Sequence, residues 1–179
     1  MLTIAPPDLQ EARSNATFEA LMWTLARPGE IRDMAGPGFS LVIEALIDLE
    51  CTVYAGNEAV RHELASTGAE VTADIGSADH VFADTAEDAL ALLPSLGCGT
   101  ALYPDDGATL VVEAAIGQGQ RLRLSGPGID GVRELALALP AAFWSGREAR
   151  CLYPEGFDIF VVDGARVVGI PRSSTVEVL

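Results

Sequence analysis

The sequence predicts a single α/β domain over residues 1–179, either three layers in the order α/β/α or another mixed α/β arrangement. Helical and strand-like segments alternate through the first half of the chain and strand-like segments dominate the second, an order typical of helices packed on a mixed sheet. The 179 residues, 49% of them hydrophobic and 21% charged, are sufficient for one ordinary core. No repeat, low-complexity tract or linker divides the sequence.

The first predicted element is an amphipathic helix. Its apolar side chains recur at the spacing of one helical face and are Phe18, Leu21, Met22 and Leu25. Its candidate N-caps are Ser14, Asn15 and Thr17. Pro28 disfavours helical conformation at Arg27, so we expect the helix to end there.

Helices and short strands alternate between residues 40 and 93. The predicted elements are a buried helix over residues 40–49, a strand over 51–55, an exposed helix over 58–66, a strand over 80–83 and a helix over 84–93. Asp84, Glu87 and Asp88 resemble a metal cluster, but the helix dipole also favours acidic residues in a first turn. We therefore predict a solvated helix start there.

The second half is expected to supply most of the sheet. A β-branched and apolar run over residues 109–116 is followed by Gly117-Gln118-Gly119, which we expect to turn the chain into a strand over 120–124. Two further runs, over residues 157–162 and 166–170, flank Asp163-Gly164. Such a dipeptide between two strands predicts a β-hairpin.

Charge and composition exclude several functional classes. The formal net charge is −15, which would repel phosphate backbones and makes nucleic acid a poor partner. The cationic side chains are 11 arginines and no lysine. Without a lysine the chain cannot form a Schiff base with pyridoxal phosphate or place a P-loop lysine on a nucleotide.

The cysteine pattern and the hydropathy point to a cytoplasmic protein without a bound metal. Cys51, Cys98 and Cys151 are an odd number, form no CxxC pair and are accompanied by only two histidines, so neither a disulfide framework nor a zinc site is expected. No apolar run reaches the roughly 18 residues of a membrane span, and residues 1–10 do not resemble a signal peptide. We therefore expect no membrane association and no metal, and the missing lysine adds the expectation of no cofactor.

Two glycine-containing motifs allow both a structural and a functional interpretation. Residues 126–131 match the GxGxxG pattern of dinucleotide-binding loops, but Pro127 removes a backbone N–H and the motif lies too late for a full nucleotide-binding unit. We predict instead a structural turn at Gly126 and Gly128 that leads into a helix near residues 132–139. Cys98 lies between two glycines, but no histidine stands at a spacing that would make it a nucleophile.

The segment of residues 171–177 is the candidate anion-binding site. Arg172, Ser173 and Ser174 bring a guanidinium and hydroxyls together after a predicted strand, and arginine binds oxyanions in a bidentate manner. Glu177 completes this candidate set, which would serve either anion binding or an interface. The alternative is a C-terminal edge strand in which Arg172 pairs with a carboxylate.

Several segments, in order along the chain, together resemble the PhnH family of the bacterial carbon–phosphorus lyase system. They are residues 18–31, Gly99-Thr100 with Pro104, Gly107-Ala108-Thr109, residues 124–129, residues 153–158 and residues 170–177. Tyr153 stands where the family pattern has Phe, and Asp105 where it has Glu. Residues 57–95 carry no matching motif, so the topology of this stretch is not predicted by the resemblance.

The resemblance implies a fold like that of pyridoxal-phosphate-dependent transferases, without the cofactor. It also implies a homodimer that joins subunits G, I and J of the carbon–phosphorus lyase core complex, with L and K associated. The implied role is to support transfer of ribose triphosphate from ATP to methylphosphonate, which forms α-D-ribose 1-methylphosphonate 5-triphosphate. The rival hypothesis is a free-standing cytoplasmic enzyme that acts on a small phosphorylated substrate.

Overall fold

The computed structural model describes residues 8–179. Residues 1–7 belong to the predicted domain and to the segment expected not to be a signal peptide, and they lie outside the described part. The helices are α1 (Leu9–Ala26), α2 (Phe39–Leu46), α3 (Glu58–Ser66), α4 (Ala86–Leu92) and α5 (Ala141–Arg150). The strands are β1 (Ile31–Asp33), β2 (Thr52–Ala55), β3 (Glu70–Val71), β4 (His80–Ala83), β5 (Thr109–Glu113), β6 (Ile116–Ser125), β7 (Arg133–Leu137), β8 (Asp158–Asp163), β9 (Arg166–Ile170) and β10 (Thr175–Val178).

The strands form a large mixed sheet and a small antiparallel one. The large sheet has seven strands in the order β1-β9-β8-β5-β4-β2-β3. Strands β3, β2, β4, β5 and β8 are parallel, whereas β9 runs antiparallel to both of its neighbours, β8 and β1. The small sheet has three strands in the order β10-β6-β7. The predicted α/β class with a mixed sheet is confirmed.

Helices cover both faces of the large sheet. Strand β5 illustrates the alternation, because Val111 is buried on the face covered by α1, α2 and α3, whereas Leu110 and Val112 are buried on the opposite face. That opposite face is covered by α4, α5 and the small sheet together. The small sheet as a separate layer was not predicted.

Several predicted elements agree with the structure. Helix α3 and strand β4 have the predicted bounds, and β8 and β9 form the predicted hairpin with Asp163 opposite Arg166. Helices α2 and α4 also form close to the predicted places. The resemblance did not predict the topology of residues 57–95. In the structure, β2, β3 and β4 lie at one side of the large sheet, and α3 connects β2 to β3.

The first helix begins earlier than predicted, and the face that it buries overlaps the predicted one only in part. Asp8 is the N-cap and accepts a hydrogen bond from the Glu11 amide, so the helix starts well before the expected caps. Its buried residues are Thr17, Ala20, Leu21 and Thr24, whereas Phe18 and Met22 are 50% and 46% exposed. Small side chains face inward because β9 lies very close: a Cβ on Gly169 would lie 2.7 Å from the Thr24 carbonyl carbon.

The helix predicted near residues 132–139 is wrong, because residues 133–137 form strand β7. Strand β7 pairs antiparallel with β6, with Leu122 opposite Leu135, so the glycine-containing turn joins two strands of a hairpin. The predicted turn at residues 117–119 is also wrong, since β6 continues through these residues with a bulge between Ile116 and Gln120. Gly119, at φ +83°, adopts a conformation that a bulge needs and that other residues rarely adopt.

Among residues 8–179, no helix is both long and apolar enough to cross a membrane.

Candidate functional site

An ion pair between Arg172 and Asp158 lies at the amino-terminal edge of the parallel strands. The Arg172 backbone N–H donates to Asp158 Oδ1 at 2.7 Å, and its Nη2 donates to Oδ2 at 2.7 Å. The two side chains are only 15% and 19% exposed. This pairing was the alternative to the predicted anion contact of Arg172, whose role in anion binding or at an interface stays a prediction.

The β8–β9 hairpin brings these two residues together. Asp158 begins β8, and Arg172 follows the end of β9 at Ile170. Because Ile159 is paired with Ile170 in this antiparallel register, Asp158 lies beside the first residues after β9. The position of the ion pair is therefore set by the hairpin turn at the far end of the two strands.

Arg172 also fastens the loop that precedes β5. Its Nη1 donates to the Pro104 carbonyl, and its Nη2 lies 3.4 Å from the Gly107 carbonyl. Gly107 has no room for a side chain, because a Cβ there would collide with the Gly156 carbonyl and with the Arg172 guanidinium. The segments that resemble the PhnH family near residues 99–109, 153–158 and 170–177 thus meet around one guanidinium.

Two clefts open beside Arg172. The smaller, of about 230 Å³, is lined by Pro104, Asp105, Tyr153, Pro154 and Arg172. The larger, of about 270 Å³, is lined by one face of α5 and by the segment between β9 and β10. Its lining residues are Trp144, Arg147, Glu148, Cys151, Leu152, Tyr153, Arg172, Ser173, Ser174, Thr175 and Val176. We call the larger one the Arg147 cleft.

Arg147 is a buried cation without a carboxylate partner in the part of the chain that the structure describes. It is 3% exposed, and its Nη1 and Nη2 donate to the Ser174 and Pro171 carbonyls at 3.2 and 2.8 Å. Its Nε has no hydrogen-bond partner among residues 8–179. Burial lowers the pKa of Arg147, an effect that Cys151 and Asp158 oppose. The guanidinium is therefore poorly compensated in its charged form.

Two further polar atoms of residues that line the Arg147 cleft are buried and have no partner within the described part of the chain. They are the indole Nε1 of Trp144 and the hydroxyl oxygen of Ser174, in residues that are 2% and 4% exposed. Helix α5 supplies Trp144 and Arg147 three residues apart, on one helical face. Ser174 comes from the segment that the sequence had marked.

The other predicted site residues lie in different surroundings. Ser173 lines the Arg147 cleft next to Ser174. Glu177 lies outside the cleft lining, on edge strand β10, where its carboxylate pairs with Arg123 at 3.1 Å and is 59% exposed. The structure therefore brings Arg172, Ser173 and Ser174 together and leaves Glu177 apart.

Gly126 and Gly128 form the turn between β6 and β7. Both have positive φ values, +129° and +80°, and neither position has room for a side chain. A Cβ on Gly128 would collide with the Ala26 carbonyl at the end of α1, and one on Gly126 would lie 3.0 Å from the Ser173 carbonyl oxygen. The turn thus packs against the segment that forms one wall of the cleft.

The cysteines and acidic residues form no metal centre in the described part of the chain. No group of three or more His, Cys, Asp and Glu side chains suited to a metal ion occurs among residues 8–179. Burial is the main cause that raises the pKa of the Cys51 and Cys151 thiols, which disfavours the thiolate. The sulfur of Cys98 lies 3.3 Å from Arg150 Nη2.

Asp158, Trp144 and Arg147 were not proposed as site residues from the sequence. No element was predicted over residues 141–150, although buried Phe143, Trp144 and Arg147 follow Pro140 at helical spacing. That spacing is the signal that would have identified α5. The spacing does not show that the Arg147 side chain is buried.

Comparison with known proteins identifies a family. A family model described as a bacterial phosphonate metabolism protein, PhnH, matches residues 8–177. A comparison with the curated proteins found no match. The matched range includes the Arg172–Asp158 ion pair and every residue that lines the Arg147 cleft.

Proposed function

The chain belongs to the PhnH family of bacterial phosphonate metabolism proteins, and from this membership we propose that it is a subunit of the carbon–phosphorus lyase core complex. In that complex it supports the transfer of ribose triphosphate from ATP to methylphosphonate. The complex as a whole catalyses the reaction, and this subunit has a structural role in the complex. The observation that carries the proposal is the family match across residues 8–177.

The proposal includes the partners that the resemblance implies. The chain forms a homodimer, joins subunits G, I and J in the cytoplasm, and has L and K associated with the complex. Its fold is related to that of pyridoxal-phosphate-dependent transferases but does not use the cofactor, in keeping with a sequence that has no lysine.

The composition of the two clefts supports a role in binding rather than in turnover by the chain alone. Neither His62 nor His80 is among the described residues that line the Arg147 cleft or its smaller neighbour. The cations in the linings are Arg147 and Arg172, and an arginine does not lose its proton near neutral pH. A site of this kind can hold an anion, and its candidate bases are the exposed carboxylates of Glu148 and Asp105 rather than a histidine.

Adenine release tests the proposal. The purified chain is mixed with ATP, magnesium and methylphosphonate, and free adenine is measured with and without the other subunits. We expect no adenine above the enzyme-free rate from the chain alone and a clear signal from the complete mixture. A mixture that works equally well without this chain would contradict the proposal. Adenine release by the rigorously purified chain alone would favour the free-standing enzyme.

A further inference from the structure

The wall of the Arg147 cleft holds three buried polar groups that lack partners within residues 8–179. They are the Arg147 Nε, the Trp144 Nε1 and the Ser174 hydroxyl. Buried polar groups are nearly always hydrogen-bonded, and each one left unpaired destabilises the folded state. These three atoms belong to residues that line one cleft, and a ligand there would supply their missing partners once small side-chain movements expose them, since they have almost no exposed surface.

The charge of the cleft indicates which charge its ligand carries. Arg172 is neutralised by Asp158 at 2.7 Å, so the ion pair leaves no net charge. No carboxylate lies within 4.0 Å of the Arg147 guanidinium among residues 8–179. Glu148 is the acidic residue in the lining, but it is exposed to water, which screens its charge. The unmatched charge in the cleft is therefore positive and buried.

The hydrogen-bond donors and the volume of the cleft further limit the chemical class and the size of the ligand. A guanidinium, an indole N–H and a hydroxyl can all donate, which suits an oxyanion with several acceptor oxygens. The volume of about 270 Å³ lies at the lower end of ligand cavities and is small for a nucleoside triphosphate. Trp144, Leu152 and Val176 add apolar surface beside the donors, where an alkyl group would pack.

We infer that the Arg147 cleft binds a small organic phosphonate, with the Arg147 guanidinium as its cation and Trp144 and Ser174 as further donors. The assignment to a phosphonate rather than another tetrahedral oxyanion rests on the proposed function. Oxyanion binding itself rests on the geometry. The cation differs from the one that the sequence pointed to, because Arg172 is held by Asp158 whereas Arg147 has no carboxylate.

Equilibrium binding to the isolated chain tests the inference. Trp23→Phe leaves Trp144 as the single tryptophan, so its fluorescence reports on the cleft during titration with methylphosphonate, inorganic phosphate and acetate. We expect saturable binding of methylphosphonate, at least as tight as that of phosphate, and much weaker binding of acetate. The absence of saturable methylphosphonate binding up to about 10 mM, a concentration at which only a negligible affinity would escape detection, overturns the inference.

Substitutions separate ligand binding from folding. Ser174→Ala should weaken methylphosphonate binding roughly tenfold, the equivalent of one charge-assisted hydrogen bond. It should not destabilise the ligand-free chain, because it removes an unpaired hydroxyl. Ser145→Ala, on the exposed face of α5, is the matched control and should leave binding unchanged. Equal affinities of the two variants overturn the inference.

Arg147→Met removes the cation, and Arg121→Met removes an exposed one as its control. Only the first should abolish binding, as measured on protein shown to be folded by circular dichroism. If wild-type protein binds no oxyanion and Arg147→Met instead blocks assembly with the other subunits, the ligand is a carboxylate of a partner protein and the inference fails. Because binding is measured on the isolated chain and adenine release on the complex, either proposal can fail without the other.

Discussion

Replacing Arg172 with Ala should destabilise the fold far more than replacing Arg166. Arg172→Ala removes a charge-assisted interaction with both oxygens of Asp158 and leaves that carboxylate, 19% exposed, without its cation. Breaking a buried ion pair by deleting one partner costs about 3–5 kcal/mol, and partial exposure places this pair near the lower limit. Arg166 pairs with Asp163 at the exposed hairpin turn, where side chains are 45% and 31% exposed and such pairs contribute about 0–1 kcal/mol.

The measurement is urea unfolding of the two variants, followed by circular dichroism. We expect a loss of about 3 kcal/mol in the free energy of unfolding for Arg172→Ala, with an unchanged dependence on urea, and about 1 kcal/mol or less for Arg166→Ala. A double-mutant cycle with Asp158→Ala should give a coupling energy of about 2 kcal/mol. Growth on methylphosphonate should fall for Arg172→Ala and not for Arg166→Ala. Equal destabilisation by the two substitutions would refute the assignment of Arg172 to this ion pair.

Three further outcomes are expected. Gly107→Ala should destabilise the chain by about 3 kcal/mol in urea unfolding, because its Cβ would collide with backbone, whereas Gly56→Ala has open space and should change stability by less than about 1 kcal/mol. Burial lowers the pKa of His80, so the unfolded state takes up a proton more readily than the folded state. The stability that neutral His80 contributes should be complete above about pH 6.5 and should decline as the pH falls towards the folded-state pKa. In thermal unfolding between about pH 7 and 5.5, His80→Leu should reduce this decline, whereas His62→Gln, at an exposed position, should not. Light scattering should give a dimer mass at micromolar concentrations, and a monomer mass throughout would contradict the proposed homodimer.

The sequence predicted the β8–β9 hairpin but not the register that brings Arg172 to Asp158. Asp163-Gly164 was predicted to separate the strands, whereas Gly164 and Ala165 are the two turn residues, and a two-residue turn fixes the register of both strands. Counting back from Asp163 opposite Arg166 places Asp158 opposite Pro171, directly beside Arg172. Local turn chemistry thus determines a contact between residues that are 14 positions apart.

Other features depend on packing between distant segments and were not predictable in this way. The face that α1 buries is set by the close approach of Gly169, so small residues rather than Phe18 and Met22 point inward. Strand β7 lies in a segment that alternates poorly, and it is extended because it pairs with β6. The burial of Arg147 requires α5 to pack against the segment before β10, a contact that no local pattern specifies.

Arg147 and Arg172 both fix the segment between β9 and β10, and this arrangement links the ion pair to the cleft. Arg147 holds the carbonyls of Pro171 and Ser174, while Arg172, between them in sequence, reaches across to Asp158 and to the loop before β5. Any displacement of this segment would change both sets of contacts. A ligand in the Arg147 cleft therefore stabilises the same backbone that the ion pair fixes. The segments that resemble the family motifs meet here as one structural unit, in which Gly107 leaves the space that Arg172 occupies.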